Sequence, residues 1–400
     1  MIGLSLVVAI AVTVVWLTRS GGDDNPPSLG GTQARPDLAA ATLQRLTSSV
    51  SGGESDADGF VDAEDPAALA WGDGVLANAS SLRVRDFTAR YVDEDPSESA
   101  GLPAGRWAAA VEATWRFAGF DARPARTEVT FVFAVRDGRA LLVDAGGGDR
   151  RTPLWLTGPL DVHRTADTLV ATEAAGEAAA YARYARRAVP VVRRVLPRWR
   201  GRLVVEVPDG AGGLDEMLAA DAGEYANIAA VTTSVDGDPV RGAPVHVLVN
   251  PDVFGELKPR GAQVVMSHEA THVATEAASS RTPLWLLEGF ADYVALRDVP
   301  IPLTLSAGQI IEDVRRDGPP RDLPGSAEFD TQTAHLGASY ESAWLAVRLL
   351  ADTGGEERLV TLYRRISSGR PVEAALRSLY GFGEAGLTAR WRAELREIAS

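Results

Sequence analysis

The stretch Ser267-His268-Glu269-Ala270-Thr271-His272 matches the pattern H-E-x-x-H, and the predicted fold is built around it. Each residue of a helix turns by about 100°, so His268 and His272 lie on one face and both reach the same metal ion. Glu269 lies one step further round the helix, with its carboxylate beside the metal. There it can take a proton from a metal-activated water. The pattern therefore predicts a zinc site with a general base next to it.

The sequence around this motif favours a half-buried helix. Pro259 and Gly261 interrupt the chain before the motif, and apolar residues then follow at Val264, Val265 and Met266. The chain contains only five histidines, so a chance match to the pattern is expected about once in a hundred or more such sequences. The alternative interpretation is a surface helix whose two histidines are ordinary polar residues.

A third metal ligand is expected downstream of the motif. A catalytic zinc site usually takes three protein ligands, and a chain without cysteine has only histidine and carboxylate to offer. Glu288 lies in residues 282–293, which are predicted to be helical, and Asp292 follows it at i+4 on the same face. We expect Glu288 to bind the metal and Asp292 to accept a ring N–H from His268. The alternative for Asp292 is an ordinary solvated charge.

Two motifs together resemble a known family. They are His268-Glu269-x-x-His272 and Trp285-Leu286-x-Glu288-Gly289-Phe290-Ala291. The pair resembles the gluzincin metallopeptidases, especially the relatives of the aminopeptidase N family that are grouped as peptidase MA-like domains. The likeness continues through residues 338–345 and 354–359 and ends near Trp391. It therefore covers most of residues 151–400, strongly at the motifs and loosely between them.

The resemblance implies a fold and an activity. The fold is a gluzincin-type α+β domain over residues 151–400, with a mixed sheet followed by helices. The activity is hydrolysis of a peptide or protein substrate with one Zn²⁺ per chain. In such families a downstream tyrosine commonly hydrogen-bonds the oxyanion, and by position that residue is Tyr340. His335 is a second candidate for polarising the carbonyl.

The class of peptidase stays open at this point. Aminopeptidase N relatives have a Gly-x-Met-Glu-Asn motif that grips the free amine of the substrate, and no counterpart precedes His268. An edge strand beside the metal often pairs with an extended substrate through main-chain hydrogen bonds. We expect a strand just before the motif to do so through six residues: Ile228, Ala229, Ala230, Val231, Thr232 and Thr233.

The N-terminus is predicted to be a membrane anchor. Residues 1–18 contain a nearly unbroken apolar run that Arg19 closes, and it is just long enough to cross a bilayer of about 30 Å. No charged segment precedes the run and no clear cleavage site follows it, which favours an anchor over a removable signal peptide. We expect a single-pass protein of the cell membrane with an extracytoplasmic catalytic domain. A secreted protein is the alternative.

Two further regions are predicted between the anchor and the catalytic domain. Residues 19–60 begin with a polar stretch rich in glycine and proline, which is typical of a flexible linker, and a short helix is expected within them at residues 39–46. Residues 61–148 have strand patterns near 82–92, 107–117 and 127–135, and Asp137-Gly138 is a hairpin signal. A helix followed by such a sheet resembles the nuclear-transport-factor-2-like superfamily. The expected role of this α+β module is that of a spacer.

Charge and composition exclude some functions and leave others open. A net charge of −14 argues against nucleic acid as a partner. One alternative to a peptidase is a catalytically inactive, peptidase-like protein that binds or senses in the cell envelope. Another is an envelope binding protein that functions through its N-terminal module and holds a merely structural zinc. We expect a catalytic unit to survive deletion of residues 20–150.

Overall fold

The computed structural model describes residues 34–330, 333 and 335–400. The predicted anchor, residues 1–18, and the start of the predicted linker lie outside these residues. Within them, no helix has both the length and the apolar character that crossing a bilayer requires. The described chain combines two sheets with helices, which confirms the α+β fold class in its broad form.

The first sheet is antiparallel and has four strands in sequence order. Its elements are α1 (Pro36–Gly52), α2 (Pro66–Leu82), β1 (Val84–Asp95), α3 (Pro96–Ser99), β2 (Arg106–Phe117), β3 (Ala125–Arg136) and β4 (Arg139–Ala145). The three predicted strands are present, and Asp137-Gly138 forms the turn between β3 and β4. Both turn residues have positive φ, of 50° and 71°, as a tight hairpin of this kind requires.

The predicted flexible linker over residues 19–60 is wrong for residues 36–52, which form α1, a longer helix than the short one expected at residues 39–46. This helix packs against β1 and β4. Its buried face contains Ala39, Leu43, Leu46 and Val50, spaced four, three and four residues apart. That spacing places all four on one side of a helix. The segment is therefore part of the core of the first sheet.

The second sheet is mixed. Its elements are β5 (Asp161–Arg164), β6 (Thr168–Thr172), α4 (Ala178–Val195), β7 (Leu203–Val207), α5 (Ala211–Leu218), β8 (Ala230–Ser234) and β9 (Val245–Val249). The strand order is β5-β6-β7-β9-β8, with β6, β7 and β9 parallel and the two edge strands antiparallel to their neighbours. Helix α4 joins β6 to β7, because parallel neighbours need a crossover connection.

The described chain after β9 is helical. The helices are α6 (Pro251–Glu256), α7 (Pro259–Thr275), α8 (Leu284–Leu296), α9 (Leu303–Ser306), α10 (Gly308–Asp317), α11 (Leu336–Gly354), α12 (Glu356–Ser367), α13 (Val372–Tyr380) and α14 (Glu384–Ala399). Helix α7 packs against β8, β9, α4 and α8, and α8 packs in turn against α11. This arrangement places α7 between the sheet and the helical part of the chain.

The two sheets share one continuous apolar core. Trp71 of α2 donates its indole N–H to the Leu156 carbonyl at 2.7 Å, and Asn78 donates to the Trp155 carbonyl at 3.1 Å. His246 of β9 joins the sheets as well. Its ring contacts Asp121, which follows β2, and it stacks on Phe117 with the ring centroids 5.4 Å apart. The N-terminal module is therefore built into the same folded body as the second sheet.

Candidate metal centre

Helix α7 positions three of the predicted site residues. Pro259 lies in its first turn, where the missing N–H removes no hydrogen bond. The helix ends at Glu276, which has a φ of 53° and donates its N–H to the His272 carbonyl. Between these ends the helix is regular, so His268 and His272 lie one turn apart on the face toward α8. Glu269 faces β8 instead.

Three side-chain atoms converge between α7 and α8. The two Nε2 atoms of His268 and His272 are 2.8 Å apart, and Oε2 of Glu288 lies 3.1 Å from the first and 3.2 Å from the second. All three side chains are buried, with at most 1% of their surface exposed. The structure therefore brings together the three residues that the sequence predicts as metal ligands.

The donor set fits a divalent metal ion. Ligand atoms bound to one zinc ion at about 2.0–2.1 Å with tetrahedral angles stand about 3.3 Å apart, close to the separations found here. The three ligand atoms lie within 4.8 Å of one another. Two imidazoles and one carboxylate also match the ligand types of catalytic zinc. The three residues can therefore hold such an ion.

Asp292 holds His268 in the orientation that this site needs. The two residues lie 2.7 Å apart, from Nδ1 of the ring to Oδ1 of the carboxylate. With Nδ1 donating to Asp292, the Nε2 atom of His268 is the one that faces Glu288. Burial lowers the pKa of His268, but Asp292 and Glu288 outweigh it and raise that pKa to about 10. Asp292 is therefore bonded in the core and is no solvated surface charge.

The other two ligands have the charge states that a metal requires. Burial lowers the pKa of His272, so its imidazole stays neutral near pH 7. Burial raises the pKa of Glu288, but the two histidines lower it more, so the carboxylate stays ionised. A neutral imidazole and an ionised carboxylate are the forms that coordinate a cation.

Glu269 has one carboxylate oxygen held and the other free. Thr232 of β8 donates its hydroxyl to Oε2 of Glu269 at 2.5 Å. The other oxygen, Oε1, is buried and has no hydrogen-bond partner among the described residues. Burial raises the pKa of Glu269 to about 8, against the opposing effects of His268 and Thr232. A carboxylate with a pKa near neutrality and a free oxygen suits proton transfer.

Thr232 was expected to bind substrate, but its side chain instead contacts the predicted base, Glu269. Its hydroxyl also lies 3.2 Å from the Glu269 carbonyl. No local pattern in the sequence pairs these two residues, because they are 37 positions apart and meet only when β8 packs on α7. The only sequence signal is that a threonine in a predicted strand next to the motif has a hydroxyl to donate.

The six residues predicted to bind substrate lie at the edge of the second sheet. Ile228 and Ala229 precede β8, and the other four lie within it. Strand β8 pairs only with β9, so its second edge is unpaired within this sheet. All six side chains are buried, however. The strand therefore lies beside the candidate metal centre in the edge position that main-chain pairing requires.

Tyr340 lies near the ligands, whereas His335 does not. The ring of Tyr340 is 6.3 Å from that of His268, measured between centroids, and Phe329 packs against its other side at 5.1 Å. Burial and Glu288 raise the pKa of Tyr340 well above its usual value, so the phenol keeps its proton. His335 precedes α11, is 68% exposed and contacts Asp313 at 3.5 Å. It is therefore not part of the buried cluster.

Comparison with models of known protein families finds no match, and a search of curated proteins finds no similar chain. The resemblance to gluzincin peptidases accordingly remains a prediction, which depends on the two motifs and on the geometry of their side chains.

Proposed function

We propose that this protein is a zinc metallopeptidase of the gluzincin type, which hydrolyses peptide bonds with Glu269 as general base. The observation that supports this most is the convergence of His268, His272 and Glu288 with a partly free carboxylate beside them. Metal ligands alone would be compatible with a structural ion. A base with one unbonded buried oxygen next to those ligands is what hydrolysis needs in addition.

The residues of the chain divide the reaction between them. A zinc ion held by the three ligands would polarise the scissile carbonyl and lower the pKa of a nearby water to about 7. Glu269 takes a proton from the attacking water on its free oxygen and later gives it to the leaving amine. Thr232 fixes the other oxygen of Glu269, and Asp292 fixes the ring of His268. These two hydrogen bonds fix the orientation of the Glu269 carboxylate and of the His268 ring.

Two further roles complete the proposal. Tyr340 keeps its phenol proton and would donate a hydrogen bond to the oxyanion of the tetrahedral intermediate. The free edge of β8 would pair with an extended peptide over residues 228–233. Because such pairing uses the main chain, it tolerates many substrate sequences, and the proposal covers both endo- and exopeptidase activity.

The proposed location is the cell membrane, with the catalytic domain outside the cytoplasm. It rests on the apolar run within residues 1–18, which the sequence alone supplies. A secreted protein is the alternative. Nucleic acid is not proposed as a partner, because the net charge of −14 opposes binding to phosphates.

Burial of the cluster favours one alternative function. His268, Glu269 and His272 are 0% exposed in this conformation, so no substrate reaches them unless neighbouring groups move. A site that stayed closed would hold a structural zinc in a catalytically inactive, peptidase-like protein that binds or senses in the cell envelope. The two functions differ in whether the zinc-loaded protein cleaves peptides.

The test compares zinc-loaded wild-type protein with the variants Glu269→Gln and Glu276→Gln on a mixed peptide library, with cleavage followed by mass spectrometry. Glu276 is exposed at the end of the same helix and pairs only with Arg241 among the described residues, so it serves as the matched control. We expect Glu269→Gln to keep its zinc and to lose activity about a thousandfold, while Glu276→Gln cleaves like wild type. Undiminished cleavage by zinc-loaded Glu269→Gln would refute the mechanism. A wild-type protein that binds zinc but cleaves nothing would favour the inactive alternative.

A further inference from the structure

A cavity of about 440 Å³ lies beside the candidate metal centre, and apart from Asp292 and Tyr340 none of its lining residues has a role in the proposed reaction. Its walls come from α7, α8, α9, α10, α11 and the loop before α9. Asp292 and Tyr340 line it at the end nearest the metal ligands, since both contact the His268 ring. The three ligands and Glu269 do not line it. Its volume falls in the range of about 300–1,000 Å³ that is usual for small-molecule sites.

Most of the wall of this cavity is apolar. Val264 on α7, Leu296 on α8 and Trp344 on α11 contribute side chains, and Ile301 contributes from the loop. The two acidic groups in the wall are already engaged. Asp292 is bonded to His268, and Glu341 accepts the Ile310 N–H at 2.8 Å. The body of a ligand that fills this space is therefore apolar.

The mouth of the cavity is basic. Lys258 and Arg260 line it, both are exposed, and neither has an ion-pair partner among the described residues. Lys258 is the only lysine in a chain of net charge −14. Leu305, also in the wall, is 58% exposed and extends the apolar surface outward. The mouth therefore complements an anionic group attached to an apolar body.

A peptide does not fit these walls as well as an alkyl chain does. Every lining residue belongs to a helix or a loop, so no strand edge is present to pair with a peptide backbone. The N–H and C=O groups of a buried peptide would need partners, and each group left without one costs about 1–3 kcal/mol. An alkyl chain carries no such groups and gains from burial along its whole length.

We propose that this cavity binds a single-chain fatty acid. The carboxylate lies between Lys258 and Arg260 at the mouth, and the alkyl chain runs along Val264 and Trp344 toward Tyr340. The proposal concerns binding only and holds with or without metal at the neighbouring site. Binding of the acid therefore does not require the proposed peptidase activity, although the alkyl chain ends at Tyr340, which that activity would use.

The test titrates the full-length protein with cis-parinaric acid, a fluorescent fatty acid, and then displaces it with saturated acids of increasing length. We expect the affinity to rise by up to about fourfold per methylene group and then to level off once the cavity is full. The double variant Lys258→Ala with Arg260→Ala should bind the acids about tenfold more weakly. It should bind the uncharged alcohol of the same length as well as wild type does.

Two further variants control for indirect effects. Arg186 and Arg187 are exposed on α4 and have no ion-pair partner in the described part of the chain, so changing both to alanine should leave binding unchanged. Val264→Phe should weaken binding of acid and alcohol alike, because it fills the cavity. The proposal is overturned if the acids do not displace the probe or if they bind the Lys258 and Arg260 double variant as well as wild type. It is also overturned if an apolar peptide displaces the probe and the acids do not.

Discussion

Individual residues of the candidate centre differ in how far the sequence reveals them. His268, Glu269 and His272 follow from a six-residue pattern, because a helix fixes their relative positions locally. Glu288 and Asp292 need only a second helix that faces the first. The hydrogen bond from Thr232 to Glu269 could not be predicted in this way. The two residues meet only because β8 packs on α7, and their spacing in the sequence does not indicate this contact.

The hydrogen bond from Thr232 to Glu269 can be tested by substitution. Replacing Thr232 by Val keeps the shape but removes the hydroxyl that holds Oε2 of Glu269. We expect peptide hydrolysis to fall about tenfold, and its pH profile to shift to higher pH, because the hydroxyl lowers the pKa of the base. Thr232→Ser should restore both. Zinc content should stay unchanged, and a Thr232→Val protein with wild-type rate and pH profile would show that the hydrogen bond has no role.

Elements of the fold were predictable where one face carries a clear pattern. The hairpin at Asp137-Gly138 and the helices α7 and α8 show such patterns. Helix α1 was predicted only in part, over residues 39–46, because it follows a polar, proline-rich stretch. The crossing of α8 over α11 was not predictable either. It depends on Gly289, where an added Cβ would lie 2.4 Å from the Ala343 carbonyl oxygen.

A glycine-to-alanine exchange tests that crossing. In an exposed helix the exchange usually stabilises by about 1 kcal/mol, but at Gly289 the new methyl group would force α8 away from α11. We expect Gly289→Ala to lower the free energy of unfolding by about 2 kcal/mol, and to weaken zinc binding because Glu288 is the adjacent residue. Gly255 of α6 has no atom within 4 Å of an added Cβ and serves as the control. Equal stability of the two variants in urea would argue against a tight crossing.

At the scale of the whole molecule, the N-terminal module and the second sheet fold as one body. His246 lies 2.7 Å from Glu206 of β7 and 3.0 Å from Asp121 of the module, and all three side chains are buried. These partners are 40 and 125 residues from His246 in sequence, so no local pattern could have revealed them. Deleting residues 20–150 would expose His246 and remove Asp121. The contacts therefore argue against the expectation that a catalytic unit survives that deletion.

The buried histidine also predicts a pH dependence of stability. Burial lowers the pKa of His246, but Asp121 and Glu206 outweigh it and raise the pKa to about 10, above the value of 6.5 that is usual for an unfolded chain. The proton therefore stabilises the fold fully below pH 6.5, and this contribution is lost as the pH rises toward 10. His246→Leu should cost about 3 kcal/mol or more at pH 6.5, with the difference from wild type shrinking toward pH 10.

Urea unfolding at several pH values measures this difference. His163 of β5 has no carboxylate partner in the described part of the chain, so His163→Gln serves as the control and should show no such trend. A cost of His246→Leu that stays constant from pH 6.5 to 10 would mean that the histidine is not held in its charged form.

The most direct measurement is the zinc content of the purified protein after incubation with excess zinc and removal of unbound metal. We predict one zinc ion per chain in wild type, and less than one tenth of that in His268→Ala, His272→Ala and Glu288→Ala, each checked for folding by circular dichroism. An Asp292→Asn protein should bind zinc about 10- to 100-fold more weakly. Wild-type protein without bound zinc, or folded variants that keep it after loss of any one ligand, would contradict the assignment of this site.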